Sequence, residues 1–538
     1  QHITDLAEIL YLQGVRDVVI SPGSRNAPLI RAFYKRFGKN CTSIIDERSA
    51  AYFALGQSLV SQKPTVLIST SGTAALNYAP AVAEAFFQGV PLLIITADRP
   101  PEWIGQQNNQ AIWQNNIFGK NVKAEYTLPI ESTDNDSLWF AHRIINEAFH
   151  LTISDKPGSV HINVPLREPL YEKLPELTSE INIVRKEEPE FILKENSQLV
   201  SKWKAAKSIM IVSGQLSPNS DLLQIVKNIS NDNRVVIVAE PTSNLHVAAS
   251  VCSPEIVLNS KTEYPDIAIP ELVIYFGGQV ISQKTKLFLN KIKGATFFAI
   301  LPDEQLIDTF QNVNSIIKAD PLSVLKSLPV KPADAKSAFK IFWNREIKNV
   351  ETVKEKYTNQ IGFSDLQTYK IISESLPEDA VVFAGNSNAV RYLSYFNQKN
   401  RVFYSNRGTS GIDGCLSTAA GLASKLAVPV YTVVGDLSFG YDSNALWNRE
   451  LPKNLKIILV NNNGGGIFHL LKGPSETDAF MPLINAHHPI DFKKLTEAFG
   501  LNYHLCATET SLQNNLENLF IEKDKAEVLE IQTPNNGE

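Results

Sequence analysis

Two stretches decide how this chain folds: Val430-Tyr431-Thr432-Val433-Val434-Gly435-Asp436-Leu437-Ser438, and Leu455 to Val460 followed by Asn461-Asn462-Asn463-Gly464-Gly465-Gly466. Each opens as an apolar run of strand length and closes in turn residues. Runs without polar alternation are expected where a strand is buried on both faces, as in a parallel sheet covered by helices. Asp436 and Asn462 stand 26 residues apart, the length of one strand–helix–strand crossover. Both loops should therefore leave the carboxyl ends of neighbouring strands, where open α/β sheets bind ligands. A carboxylate, an amide oxygen and backbone carbonyls are hard donors suited to Mg²⁺ shared with phosphate. Either loop alone would read as an ordinary turn. At crossover spacing the two loops together offer oxygen ligands that would suit a metal, and glycines that let the backbone close on a diphosphate.

Working outward, the same rhythm recurs in three blocks. Strands are expected at Asp17 to Ile20, Ser43 to Ile45, Thr65 to Ser69 and Pro91 to Thr96 in the first. The second has Ser208 to Val212, Arg234 to Val238, Glu271 to Phe276 and Thr296 to Leu301. The third adds Ala380 to Phe383, Val402 to Tyr404 and Ala526 to Ile531 to the two quoted above. Polar stretches at Tyr171 to Ser197 and Lys331 to Ser337 separate them. The expectation is an α/β protein of three doubly wound parallel-sheet domains, at 1–175, 198–330 and 345–538. The middle block carries Gly214, Gly277 and Gly278 without a Gly-x-Gly-x-x-Gly, so a dinucleotide role has little support.

Composition excludes several classes. The 538 residues are 43% hydrophobic and 20% charged, ordinary for a globular protein. A formal net charge of −5 argues against a nucleic-acid binder working through a general basic field. The four cysteines, Cys41, Cys252, Cys415 and Cys506, are widely spaced, which speaks against a disulfide scaffold or zinc ribbon and for a reducing, cytoplasmic setting. No apolar run reaches the roughly 20 residues of a membrane span.

The N-terminal block offers an acid where a strand gives way to a helix, in Ile45-Asp46-Glu47-Arg48-Ser49-Ala50. Taken with the C-terminal loops it resembles the activating glutamate of thiamine diphosphate enzymes, whose metal motif is normally Gly-Asp-Gly followed after some 25 residues by Asn-Asn. Leu437 departs from that motif. A narrower resemblance accounts for the departure. Ser21-Pro22-Gly23-Ser24-Arg25-Asn26-Ala27-Pro28, Thr70-Ser71-Gly72-Thr73-Ala74, Ala97-Asp98-Arg99-Pro100-Pro101, Asn109-Gln110-Ala111-Ile112 and Asn406-Arg407-Gly408-Thr409-Ser410-Gly411-Ile412-Asp413-Gly414 all resemble the 2-succinyl-5-enolpyruvyl-6-hydroxy-3-cyclohexene-1-carboxylate synthase family, which also carries leucine there. The likeness covers nearly the whole chain and is thinnest in the middle block.

The resemblance implies the thiamine diphosphate-binding fold, with pyrimidine, central and diphosphate domains. It also implies a transferase of menaquinone biosynthesis that decarboxylates 2-oxoglutarate and adds the remaining unit to isochorismate in a Stetter-like conjugate addition. The cofactors implied are thiamine diphosphate and Mg²⁺ or Mn²⁺, the metal held by Asp436, Asn462 and Gly464. Glu47 would activate the cofactor. Ser387, Gly411, Ile412, Asp436, Leu437, Ser438, Asn462, Gly464 and Ile467 would hold it, Ile412 as the prop that keeps it bent, with Phe468 beside Ile467 packing substrate. Both substrates are dianions, so several fixed cations are needed, and arginine's planar fork suits carboxylates. Arg25, Arg99, Arg391 and Arg407, with Lys284 from the middle block, are the expected cations, and Ser24 and Gln110 their polar partners. Pyruvate, with one carboxylate, would not need so many. A silent binder of the cofactor would have no use for Glu47. The family resemblance further implies a homodimer, or a dimer of dimers, whose sites join the N-terminal block of one copy to the C-terminal block of the other. His487-His488 is read as a surface or helix-cap feature.

Overall fold

The structure, a computed structural model, describes every residue except 132–133, 173–180, 188–190, 248–249, 304, 331–336, 397–399, 471–472, 522 and 535–538. Parts of both expected linkers, 173–180 and 188–190 in the first and 331–336 in the second, lie outside the described residues. Seventeen strands form three sheets in which every pairing among the described residues is parallel. The first holds β1 (Asp17–Ile20), β2 (Cys41–Ser43), β3 (Thr65–Ser69), β4 (Leu92–Asp98), β5 (Glu125–Thr127) and β6 (Ser159–Pro165), in the order β2-β1-β3-β4-β6-β5. The second holds β7 (Ile209–Ser213), β8 (Val235–Ala239), β9 (Leu272–Phe276), β10 (Thr296–Leu301) and β11 (Ser315–Lys318), in the order β11-β10-β9-β7-β8. The third holds β12 (Val381–Ala384), β13 (Val402–Tyr404), β14 (Val430–Gly435), β15 (Leu455–Asn461), β16 (Asn502–Cys506) and β17 (Glu527–Gln532), in the order β13-β12-β14-β15-β17-β16.

The quoted runs are the central strands β14 and β15, buried along nearly their whole length. One expected strand shifts, and a further strand carries no apolar signal. The second strand of the N-terminal block lies at Cys41–Ser43 rather than Ser43 to Ile45, because Asp46 caps the following helix, Glu47–Ser61, by accepting the Ser49 N–H at 3.0 Å. The strand β6 escapes an apolar-run search because it carries His161 and Asn163, both buried and bonded to Thr96 of β4.

The outer domains share one core. It runs from Val19, Leu67 and Ile94 through the helix Glu47–Ser61 and the helix Cys415–Ala423 to Val434, Ile457 and Leu459. Glycine allows those two helices to meet: a Cβ on Gly56 would lie 2.1 Å from the Thr418 carbonyl oxygen, and one on Gly421 2.0 Å from that of Phe53. Ser49 and Ser417 hydroxyls (2.9 Å) and the Tyr52 hydroxyl on Asp413 (2.6 Å) tie the seam. The middle domain docks on the edge strand β13, where the Asn244 amide accepts from Phe403 N–H at 2.7 Å and donates to its carbonyl at 3.0 Å. That pairing covers an otherwise open strand edge.

Candidate active site

The N-terminal residues gather at the carboxyl ends of β1, β3 and β4. Arg25, 4% exposed, donates to the Leu166 carbonyl and to Glu168, both at 3.1 Å, while its Nε is buried without a partner. Asp98 accepts from the Arg99 backbone N–H (2.7 Å) and from Asn163 (2.8 Å). Arg99 Nε donates to the Asn109 carbonyl at 3.1 Å. The Ser71 hydroxyl holds the Gln110 carbonyl at 2.8 Å, and Gly72 is required beneath it, since its φ is +84° and a Cβ would lie 3.2 Å from Gln110. Ser24 is exposed. Glu47 is half-buried in the first turn of its helix; burial raises its pKa above the usual carboxylate value, and Asp46 adds to the rise against the opposing helix N–H.

The C-terminal residues form a second cluster. Asp436 accepts from the Leu437 N–H (2.7 Å) and the Gly464 N–H (2.8 Å), which joins the β14 and β15 loops as their spacing predicts. Asn462 donates through Nδ2 to Asp365 at 2.8 Å, and its Oδ1 is buried with no partner. Ser438 donates to the Ile412 carbonyl at 2.6 Å, and Ile412, though apolar, is 37% exposed. Ser387 adopts φ +69°, a conformation strained for a residue with a side chain, and its carbonyl accepts from Arg391 at 2.8 Å. Asn386 bonds the Asn406 and Gly411 carbonyls and accepts from Arg407 at 2.9 Å. Arg407 is 5% exposed, with its Nε unpartnered; burial first and Arg391 second lower its pKa to about 10.

Two carboxylates no motif announces hold the walls of this cluster. Glu84, on the N-terminal domain, accepts from the Gly408 N–H (2.6 Å), the Thr409 N–H (2.7 Å) and the Thr409 hydroxyl (2.6 Å), fixing the loop that carries Arg407. Glu240, on the middle domain, accepts from Ile281 and Ser282 N–H groups at 2.7 and 2.6 Å, and burial pushes it up to about 7.

Comparison with known proteins places this geometry. Residues 3–117 match the family described as thiamine pyrophosphate enzyme, N-terminal TPP binding domain; residues 178–384 match the middle domain of thiamine pyrophosphate; residues 384–531 match the C-terminal TPP binding domain. Among curated relatives, the 2-succinyl-5-enolpyruvyl-6-hydroxy-3-cyclohexene-1-carboxylate synthase of Desulfotalea psychrophila is 40% identical over 94% of this chain and 93% of its own length. Those of Cytophaga hutchinsonii and Flavobacterium johnsoniae are 36% and 37% identical, covering 99% and 98% of this chain and 96% and 95% of their own. The chain belongs to this synthase family.

The residues present fit the family's cofactor and a divalent ion. Asp436, tied to the β15 loop by the Gly464 N–H, and the unpartnered Asn462 Oδ1 offer oxygen donors of the kind that a hard cation takes. The glycines around it have no room for side chains: a Cβ on Gly464 would meet the Asn485 carbonyl at 2.6 Å, and one on Gly466 would meet Asn462 Nδ2 at 2.3 Å. Ile467 and Phe468 follow, half-buried.

Of the pair read as a surface or helix-cap feature, His487 is exposed and His488 half-buried. His488 Nε2 lies 3.2 Å from Asp436 Oδ2 with its side chain 9% exposed, and His487 pairs with Asn463 at 2.8 Å. The two histidines thus reach back to the loops after β14 and β15, His488 across 52 residues of sequence, which no local pattern reveals. In the middle domain, Lys284 is half-buried and its backbone N–H binds Glu255 at 3.2 Å. The ammonium that shares its field with Arg407, Arg391 and Glu240 is that of Lys286, two residues further on. Among the described residues, Ser24, Arg25, Glu47, Arg99 and Gln110 make no hydrogen bond to the C-terminal cluster of the same chain.

Proposed function

We propose that the chain decarboxylates 2-oxoglutarate and adds the remaining four-carbon unit to isochorismate, using thiamine diphosphate and Mg²⁺ or Mn²⁺, as a step of menaquinone biosynthesis in the cytoplasm. The observation that carries the reading is an oxygen donor set, Asp436 with the open Asn462 Oδ1, on the same domain as the buried Arg407, which the half-buried Arg391 and Lys286 accompany. When bound, thiamine diphosphate supplies the nucleophilic carbon and the electron sink that loss of CO₂ from a 2-oxo acid needs.

This chain's residues do the rest. Asp436, Asn462 and the Gly464 carbonyl hold the metal. Ser387, Gly411, Leu437, Ser438 and Ile467 line the diphosphate and thiazolium, and exposed Ile412 props the cofactor. Glu47, with its raised pKa, holds a proton at its carboxyl and exchanges it with the pyrimidine ring nitrogen. Arg407, Arg391 and Lys286, with Lys284 beside them, bind carboxylates, each charge-assisted bond worth about 1.5–3 kcal/mol. Arg25, Arg99, Ser24 and Gln110 bind the second dianion from the N-terminal side. The competent unit is a homodimer, or a dimer of dimers, in which Glu47 of one copy serves the Asp436 cluster of the other. The domains are assigned to 1–175, 198–330 and 345–538.

The test is CO₂ release and product formation from 2-oxoglutarate with thiamine diphosphate and Mg²⁺, with and without isochorismate. Product should require both substrates. Equal turnover on pyruvate, or product without isochorismate, would refute the reading.

A further inference from the structure

An asparagine that ligates a hard cation faces a choice an aspartate does not. Its amide oxygen and nitrogen have nearly the same shape, and only the oxygen can serve as ligand. In this chain Asn462 Nδ2 points to Asp365 Oδ2 at 2.8 Å, which leaves Asn462 Oδ1 buried and unpartnered. Asp365 begins the helix Asp365–Ser375, about a hundred residues upstream of its partner and outside every motif the sequence displays.

The carboxylate is itself fixed. Its Oδ1 accepts from the Thr533 hydroxyl, and the Asn388 side chain adds a further hydrogen bond. Thr533 is placed by the sheet: its N–H donates to the Asn461 carbonyl at 2.9 Å, one step beyond the paired Asn461 and Gln532 of β15 and β17. On the other flank Gly466 closes the space, since a Cβ there would lie 2.3 Å from Asn462 Nδ2 and 3.2 Å from Asn388 Nδ2.

We propose that Asp365 is the positioning residue of the metal site: its carboxylate, an acceptor at both oxygens, locks the Asn462 amide with nitrogen inward and oxygen outward toward the cation. A flipped Asn462 would set two acceptor oxygens face to face. Partners behind metal ligands commonly act in this way, and their loss typically weakens metal affinity roughly 10–100-fold. The proposal rests on Asp436 and Asn462 being the metal ligands.

The experiment is a Mn²⁺ titration of the full chain with saturating thiamine diphosphate, read from the electron paramagnetic resonance signal of the free ion. Asp365→Ala should weaken Mn²⁺ binding by roughly 10–100-fold. Asp365→Asn should lose less, because its amide oxygen can still accept from Asn462. Thr533→Val removes only the hydroxyl that pins Asp365 and should cost roughly 2–10-fold, an effect readable even if Asp365→Ala does not fold. Loss of melting temperature in Asp365→Ala with Mn²⁺ affinity kept within about twofold overturns the proposal. Asp436→Ala distinguishes the two levels: if it abolishes Mn²⁺ binding while Asp365→Ala does not, only the orienting role fails. If Asp436→Ala binds normally, the metal site itself is misassigned, and the proposal falls with it.

Discussion

The first and third sheets have the same strand order, so each exit loop of one has a counterpart in the other. The contrast lies in what the loops carry. After the second strand of each sheet, the N-terminal domain has the acid Glu47 and the C-terminal domain the cation Arg407. After the fourth strand, Asp98 has each of its oxygens bonded, by Arg99 N–H and Asn163, whereas Asn462 keeps an oxygen free. Asp436, the carboxylate of the C-terminal loops, is bonded at both oxygens as Asp98 is, so the difference lies in the buried Asn462 amide, whose open oxygen awaits a ligand. Topology thus fixes where a site can form, and the polar atoms that the loops carry set the two similar sheets apart.

The comparison breaks first at Glu47. Glu47→Gln keeps the shape and removes the ionisable proton, so turnover should fall roughly 10²–10⁴-fold while thiamine diphosphate and Mg²⁺ still bind. Steady-state rates and cofactor titration measure the two separately. If the sites are shared between copies, mixing inactive Glu47→Gln with inactive Asp436→Ala should restore about a quarter of the parent activity, because half of the mixed dimers' sites are then intact. A mixture that stays silent after subunit exchange would place both clusters in one chain.

Arg407 and Arg25 sharpen it next. Arg25 already has Glu168 at 3.1 Å, while Arg407 bonds a neutral amide, and burial and Arg391 make its charge costly against the partial relief that Glu240 and Glu84 give. That cost is relieved by an anionic substrate. Arg407→Ala should therefore raise the KM for a dianionic substrate by roughly 10–100-fold, with cofactor affinity near normal, and Arg25→Ala should do less. Loss of cofactor binding in Arg407→Ala would mean the residue serves the diphosphate instead.

Much of this architecture is legible in the sequence because parallel strands buried on both faces must be apolar throughout, and a crossover of fixed length brings Asp436 and Asn462 together. Other features leave no local trace. Glu84 and Glu240 are lone carboxylates whose partners are backbone N–H groups of distant loops. His488 reaches Asp436 only because the intervening chain folds back. The glycine pair at the seam, Gly56 and Gly421, has no periodic signature, since each matters only for what the other helix brings against it. Lys286 differs from Lys284 by a helical turn's direction, which spacing alone leaves open.

The seam itself offers the smallest test, through Asp442. This carboxylate is buried behind the helix Cys415–Ala423, accepting from the Ser417 N–H (2.7 Å) and hydroxyl (2.9 Å). Burial pushes its pKa up to about 7, against those bonds and the nearby charge of Arg48. A folded-state pKa above the unfolded value of about 3.9 means the group's contribution to stability is full below about pH 4 and is lost as pH rises through about 7. Asp442→Asn removes that titration and keeps an acceptor for the Ser417 N–H, and the serine hydroxyl can turn to accept from the new amide. The melting temperature of the variant relative to the parent should therefore rise steadily between about pH 4 and pH 7, then level off. A constant offset across that range would show that Asp442 does not titrate there, and that the join between the two outer domains carries no pH dependence of its own at this carboxylate.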